Sequence, residues 1–332
     1  MEKVLIFSHE SDIDGLGCIV LGKVTFKKID YELVPNPEVL EEKFRSYLET
    51  GKLKKYDSIF ITDLALYNPS LQLVSLDSEL RKKIVVFDHH KSAIMQECGI
   101  YDFTQIVEVD KTGKKRCGTD LFFNYLVDSH RLTRTPLLDS FVELTRLEDT
   151  WEWKEKKELG LVAHDLAILF NAIGIDAYIG AMVAKVEDTK TDTFSFTKEE
   201  KAKIEGKKKE YNDFLSKLLK EAEYFVDEND NPFGAVFADY EYRNELGELV
   251  REKNPYHIDY LIIMALNKGE YGQKSYRSIR EDFDVSDVAL RHGGGGHPGA
   301  ASVNITKEQR EKILVLEKRE ALKYLADSKY NG

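Results

Sequence analysis

The sequence predicts an α/β protein: an N-terminal, mostly parallel five-stranded sheet with helices on both faces, a linking helix, and a smaller C-terminal domain built on a mixed sheet. Three observations predict it. Short apolar runs alternate with helically spaced segments at the start of the chain, which is the pattern of βαβ units. A charged helical stretch then intervenes, and the alternation restarts beyond it. The chain's 332 residues also exceed what one core usually organises, since domains run to ~100–200 residues.

Taken in order, residues 3–7, 31–34, 58–62 and 84–87 are short apolar strands, and residues 16–28, 38–50 and 70–82 carry helical spacing between them. Residues 105–109 add a fifth strand. Helices are expected over 118–130, 136–148, 160–173 and 176–186. Residues 198–222 mix both charges with apolar residues at helical intervals, and read as a solvated helix joining two domains. Beyond it come strands at 234–237, 260–264 and 274–279 and a helix at 284–291. A glycine-rich turn, a strand at 301–304 and a terminal helix after Thr306 complete the chain. The expected domains are thus 1–190, a linker at 191–225, and 226–332.

Composition narrows the function. Forty-eight basic against 59 acidic residues give a net charge of −11, which argues against a protein that coats long duplex nucleic acid through its overall field. A short phosphorylated substrate in a cation-lined pocket stays open. No apolar run approaches the ~20 residues a bilayer demands, and the N-terminus turns polar too early for a signal peptide, so a soluble, cytoplasmic protein without membrane partners is expected. Cys18, Cys98 and Cys117 lack metal-type spacing and read as small buried apolar residues.

Acidic and histidine residues fall just after strand signals, where parallel sheets place ligands. They are His9, Asp12 and Asp14 with Gly15 after the first strand, Asp63 after the third, and Asp88, His89 and His90 after the fourth; Asp149 closes a later helix. Taken singly, Asp12 and Asp63 also read as capping or turn residues. Taken together, His9, Asp12, Asp14, Asp63, His89 and Asp149 offer enough imidazole and carboxylate donors for two divalent ions. Nitrogen with hard oxygen and no thiolate favours Mn²⁺, with Mg²⁺, Co²⁺ or Fe²⁺ as alternatives. In the second half, Gly293 to Gly296 expose backbone N–H groups without any Cβ to block a phosphate, flanked by His292 and His297 and preceded by Arg277. Five of the eight histidines lie in these segments. Trp151 and Trp153 read as packing residues, and Lys111, Lys114, Lys115 and Arg116 as an exposed basic turn.

Asp12-x-Asp14-Gly15, Asp63, Asp88-His89-His90 and Asp149 resemble, in order, the four motifs of the DHH phosphoesterase superfamily. The segment from Arg291 to Ala301, with Ser275 to Ser278 before it, resembles the glycine-rich histidine signature of the DHHA1 domain. Together the two resemblances span nearly the whole chain. They imply that His9, Asp12 and Asp63 hold one metal and Asp14, Asp63, His89 and Asp149 a second, with Asp63 shared. They further imply that His90 faces substrate while Asp88 orients a ligand histidine, and that Arg277, His292, Gly294, Gly295, Gly296 and His297 bind substrate phosphate. The interval from His9 to Asp12 is one residue shorter than in many relatives. The expected activity is two-metal hydrolysis of oligoribonucleotides of two to five nucleotides to mononucleotides, with a homodimer as one arrangement of the chain. A phosphodiesterase for linear or cyclic dinucleotides or pAp is the nearest alternative, and a non-catalytic nucleotide-binding regulator the alternative of another class.

Overall fold

Alternation along the first strand decides the architecture of the first half. In β1 (Lys3–His9), Val4 and Ile6 enter one apolar core and Leu5 and Phe7 another, so the strand lies inside a sheet covered on both faces. The computed structural model describes residues 2–218, 220–254, 257–266, 268 and 272–327. It divides into two compact units, Met1–Lys207 and Lys208–Gly332.

In the first unit β1 is followed by α1 (Ile13–Thr25), β2 (Lys28–Val34), α2 (Pro37–Glu49), β3 (Ser58–Thr62), α3 (Asn68–Leu76), α4 (Ser78–Arg81), β4 (Ile84–Asp88), α5 (Lys91–Met95) and β5 (Thr104–Ile106). The five strands pair in the order β2-β1-β3-β4-β5, every pair parallel. This order reverses direction between β1 and β3, and the crevice beyond the carboxyl ends of those strands is where such sheets bind ligands. Helices α6 (Gly118–Asp128), α7 (Pro136–Asp149), α8 (Lys157–Ile173) and α9 (Ile175–Val186) follow. They pack with α1 over the face bearing Val4, Ile6, Phe60 and Phe87, while α2 and α3 cover Leu5, Phe7, Ile59 and Ile61 on the other. The fifth strand ends at Ile106, short of the expected 109, because Val109 instead bridges to Lys115 across a turn.

Helix α10 (Lys198–Leu218) is not simply solvated. Ile204 is buried in the first unit's core, and Tyr211, Leu215 and Leu218 in a core of the second. The second unit continues with β6 (Glu223–Val226), β7 (Pro232–Phe237), α11 (Arg243–Lys253), β8 (Tyr260–Ala265), β9 (Gln273–Ser278), α12 (Val285–Arg291), β10 (Gly295–His297), β11 (Ala300–Asn304), α13 (Lys307–Ile313) and α14 (Lys318–Asp327). Its sheet runs β10-β11-β9-β8-β7-β6 and is mixed, with only β7 and β8 parallel among the described pairs.

Several elements depart from expectation. The glycine run is not an open turn throughout: Gly295 to His297 form an edge strand paired to β11. Close packing explains it, since a Cβ on Gly294 would lie 2.0 Å from Ser302 O, and Gly296, at φ +147°, would place one 2.5 Å from Ala301 Cα. β6 and α11 carry no strong sequence signal, and the terminal helix is two helices. No helix among the described residues is long and apolar enough to cross a membrane.

Candidate active site

The carboxyl ends of β1, β3 and β4 and the last residue of α7 supply one cluster. Asp12 caps α1 with Oδ1, accepting Asp14 N at 3.2 Å and Gly15 N at 3.1 Å. Its Oδ2 lies 2.8 Å from His9 Nδ1, which is in turn 3.5 Å from Asp63 Oδ2. The capping and site readings of Asp12 therefore hold together, one oxygen for each. Gly15 permits this approach, because a Cβ there would meet His9 O at 2.1 Å. The short interval between His9 and Asp12 does not keep His9 out of the cluster.

Asp14 turns the other way and is fully buried. Its Oδ2 lies 3.7 Å from His89 Nε2, which stands 3.3 Å from Asp63 Oδ1 and 3.4 Å from Asp149 Oδ2. Asp63, 1% exposed, thus faces His9 with one oxygen and His89 with the other. The candidate ligands gather as His9, Asp12 and Asp63, as Asp14, His89 and Asp149, and as Asp63, Asp88, His89 and His90. Asp88 Oδ1 accepts the backbone N–H groups of His89 and His90 at 2.7 and 3.1 Å and sits 2.7 Å from His90 Nδ1. The ring that Asp88 orients is therefore His90, rather than the ligand histidine that the resemblance implied.

Two features test whether cations fit. His9 Nδ1, both carboxylate oxygens of Asp63, His89 Nε2 and Asp149 Oδ2 are buried with no hydrogen-bond partner of good geometry, although they face one another. Buried donors and acceptors are rarely left so, and a cation is what satisfies all of them at once. The electrostatics agree. Burial, with the charges of Asp63 and Asp149, pushes Asp14 well above the carboxylate range, and burial with Asp63 pushes Asp149 up to about 6 against the pull of His89. Burial opposes protonation of His9 and His89, yet neighbouring carboxylates, Asp12 for His9 and Asp149 for His89, hold both well above the ordinary imidazole range. Asp63 goes the opposite way: burial would raise it, but His89 and His9 hold it well below. The cluster gathers positive charge, and the residues present fit divalent metal.

The sequence did not single out Gly118 and Thr119, whose N–H groups are donated to Asp14 at 2.6 and 2.8 Å. The available signal was Cys117-Gly118-Thr119-Asp120, a helix start with a capping residue and an acid in its first turn. The basic turn is mostly engaged: Arg116 pairs with Asp110 and Asp120, and Lys114 with Glu143. Trp153 stacks on His164, its ring centroid 4.2 Å away. The three cysteines are free and buried, as expected.

In the second unit, register places Arg277 opposite Ala300 and Leu261, and Ala300 opposite His297, so Arg277 and His297 share one face of the sheet. Arg277 is 6% exposed. It donates to Tyr276 O at 2.8 Å and Asn244 Oδ1 at 2.7 Å, while Nε has no partner. Burial, with Arg243 beside it, pulls the guanidinium down to about 9. His292, by contrast, keeps to Tyr276, its ring centroid 6.3 Å away, on the side where α12 packs. Arg277 and His297 thus stand on one face of the sheet, on either side of Ala300.

No protein-family model matches the chain. The oligoribonuclease NrnB of Bacillus subtilis (strain 168) is 32% identical over 312 residues, spanning 93% of this chain and 74% of that protein. A solved DHH domain, described as a member of the S1p family of ribosomal proteins, superposes with a TM-score of 0.58 at 15% identity, covering 99% of this chain and 88% of that one. The pGpG-specific phosphodiesterase PggH from Vibrio cholerae gives a TM-score of 0.50 at 15% identity, over 98% of this chain and all of that one. At such identity the two structures establish the fold, which is the α/β arrangement that the sequence predicted.

Proposed function

The chain belongs to the family of DHH phosphoesterases represented by oligoribonuclease NrnB, and from that premise we propose that it hydrolyses short oligoribonucleotides, two to five nucleotides long, to nucleoside monophosphates. It is a nucleotide or oligoribonucleotide phosphodiesterase. The observation that supports metal-dependent hydrolysis is the set of buried, unpartnered ligating atoms around Asp63, while the substrate class follows the NrnB relative. His9, Asp12 and Asp63 would hold one divalent ion, and Asp14, Asp63, His89 and Asp149 a second; nitrogen with hard oxygen donors favours Mn²⁺. Bound there, the ions supply Lewis acidity, acidifying water and neutralising charge on phosphate.

The chain's own groups do the rest. Asp63 holds the two donor sets together. Asp88 fixes the His90 ring through Nδ1, so that the half-exposed imidazole is aimed for a substrate phosphate. Burial opposes a proton on His90, yet Asp88 holds the ring above its ordinary range, which favours donation to a phosphate oxygen. In the second unit the unpartnered Nε of Arg277, His297 on the same face and the backbone of Gly294 to Gly296 would grip a further phosphate. A cytoplasmic place of action goes with three free thiols.

The test is release of labelled mononucleotide from a diribonucleotide with Mn²⁺, with and without EDTA, beside linear pGpG, a cyclic dinucleotide and pAp. Turnover of the diribonucleotide that EDTA abolishes is the expected result. Preference for pGpG, the cyclic dinucleotide or pAp would replace the substrate assignment, and metal-independent binding without turnover would make the chain a regulator.

A further inference from the structure

We infer that Thr119 and Gly118, at the start of α6, are positioning residues that fix the Asp14 carboxylate so that its Oδ2 faces His89. The inference rests on the proposed metal centre. Three contacts from two adjacent residues converge on one aspartate. Gly118 N donates to Oδ2 at 2.6 Å and Thr119 N to Oδ1 at 2.8 Å, while Thr119 Oγ1 donates to the backbone oxygen of Asp14 at 2.5 Å. Side chain and main chain of Asp14 are thus tied to the same helix end, and the carboxyl group cannot turn without breaking two hydrogen bonds.

Two glycines make the approach. A Cβ on Gly118 would stand 2.7 Å from Asp63 Cβ and 2.8 Å from its Cα, so the residue that donates to Asp14 also packs directly on Asp63. A Cβ on Gly17 would lie 2.4 Å from Thr119 Oγ1, so α1 carries a glycine where that hydroxyl passes. Cys18 Sγ lies 3.6 Å from the same oxygen. Thr119 is fully buried, and its hydroxyl is spent on a residue of the cluster and not on its own helix. Packing between α1 and α6 alone would need neither the two amides aimed at a carboxylate nor the hydroxyl.

The test uses the metal-stripped full chain titrated with Co²⁺ and followed by visible absorption, with thermal unfolding of each variant beside it. Thr119→Val is expected to weaken Co²⁺ binding by ~10–100-fold, the usual loss on removing an outer partner of a ligand, and to change the absorption band. Thr119→Ser, which keeps the hydroxyl, is expected to restore both. Thr104→Val, which removes a hydroxyl bonded to Tyr101 O at 2.8 Å, is the structural comparison and should leave binding alone. Should Thr119→Val not fold, Thr119→Ala replaces it. Unchanged affinity and spectrum in the folded variant, or an equal loss in Thr104→Val, overturns the inference. Failure of the unaltered chain to bind Co²⁺ overturns the metal-centre reading instead.

Discussion

Asp63 adopts φ +58°, a left-handed conformation that glycine takes freely and aspartate or asparagine take more readily than other side chains. The turn after β3 thereby points both carboxylate oxygens into the cluster, one toward His9 and one toward His89. Asparagine tolerates the same backbone, so Asp63→Asn separates charge from fold. It is expected to lower kcat/KM by about 10³-fold, the scale of losing one group that stabilises the transition state, with unchanged circular dichroism. Steady-state hydrolysis of the labelled diribonucleotide checks it, and activity near that of the unaltered chain would exclude Asp63 as the shared ligand. The acids and imidazoles after β1, β3 and β4 were legible because each group follows an apolar strand, whereas Asp149 closes a helix and was legible only beside the others. Gly118 and Thr119 were not, because their meaning depends on a contact with Asp14 made across more than a hundred residues.

Element by element, legibility followed burial. β3 lies in the middle of its sheet, is buried throughout, and matches the expected 58–62 residue for residue. The edge strands β5, β6 and β10 are short and partly exposed, so their sequences carry little apolar pattern, and α11 has few apolar residues among charged ones. β9 carries an unusual residue for a core strand. Lys274 is fully buried, donates to Leu325 O at 3.0 Å, and is pulled down to about 8 by burial. Between about 8 and the ordinary 10.5 the unfolded chain holds a proton that the folded chain has released, so stability rises with pH across that window, by about 3 kcal/mol in all. Lys274→Met is expected to remove this rise, so that the variant is the more stable at pH 7 and its advantage shrinks toward pH 10.5. Thermal unfolding of both proteins against pH decides it; parallel profiles would show that burial does not burden this lysine.

For the whole molecule, every candidate metal ligand lies within the unit that ends at Lys207. A cation that binds only the folded cluster stabilises that unit by mass action, about 2.7 kcal/mol at a hundredfold excess over Kd. For a unit of this size that is ~5–11 °C in Tm. Differential scanning calorimetry with Mn²⁺ and with EDTA should therefore move the transition of the first unit and leave the second in place. A shift of neither would count against the metal centre, and a shift of both equally would place the ions elsewhere. The alternation of elements stops and restarts around α10, and the two compact units meet within that helix, at Lys207 and Lys208. The assignment of α10 was harder, since its few apolar positions serve two separate cores. One further property of the chain has practical use. Because Cys18, Cys98 and Cys117 are all shielded from solvent, maleimide and iodoacetamide reagents have no natural target on the folded surface. A fluorophore or spin label can be attached at a single introduced surface cysteine without first stripping out the native ones.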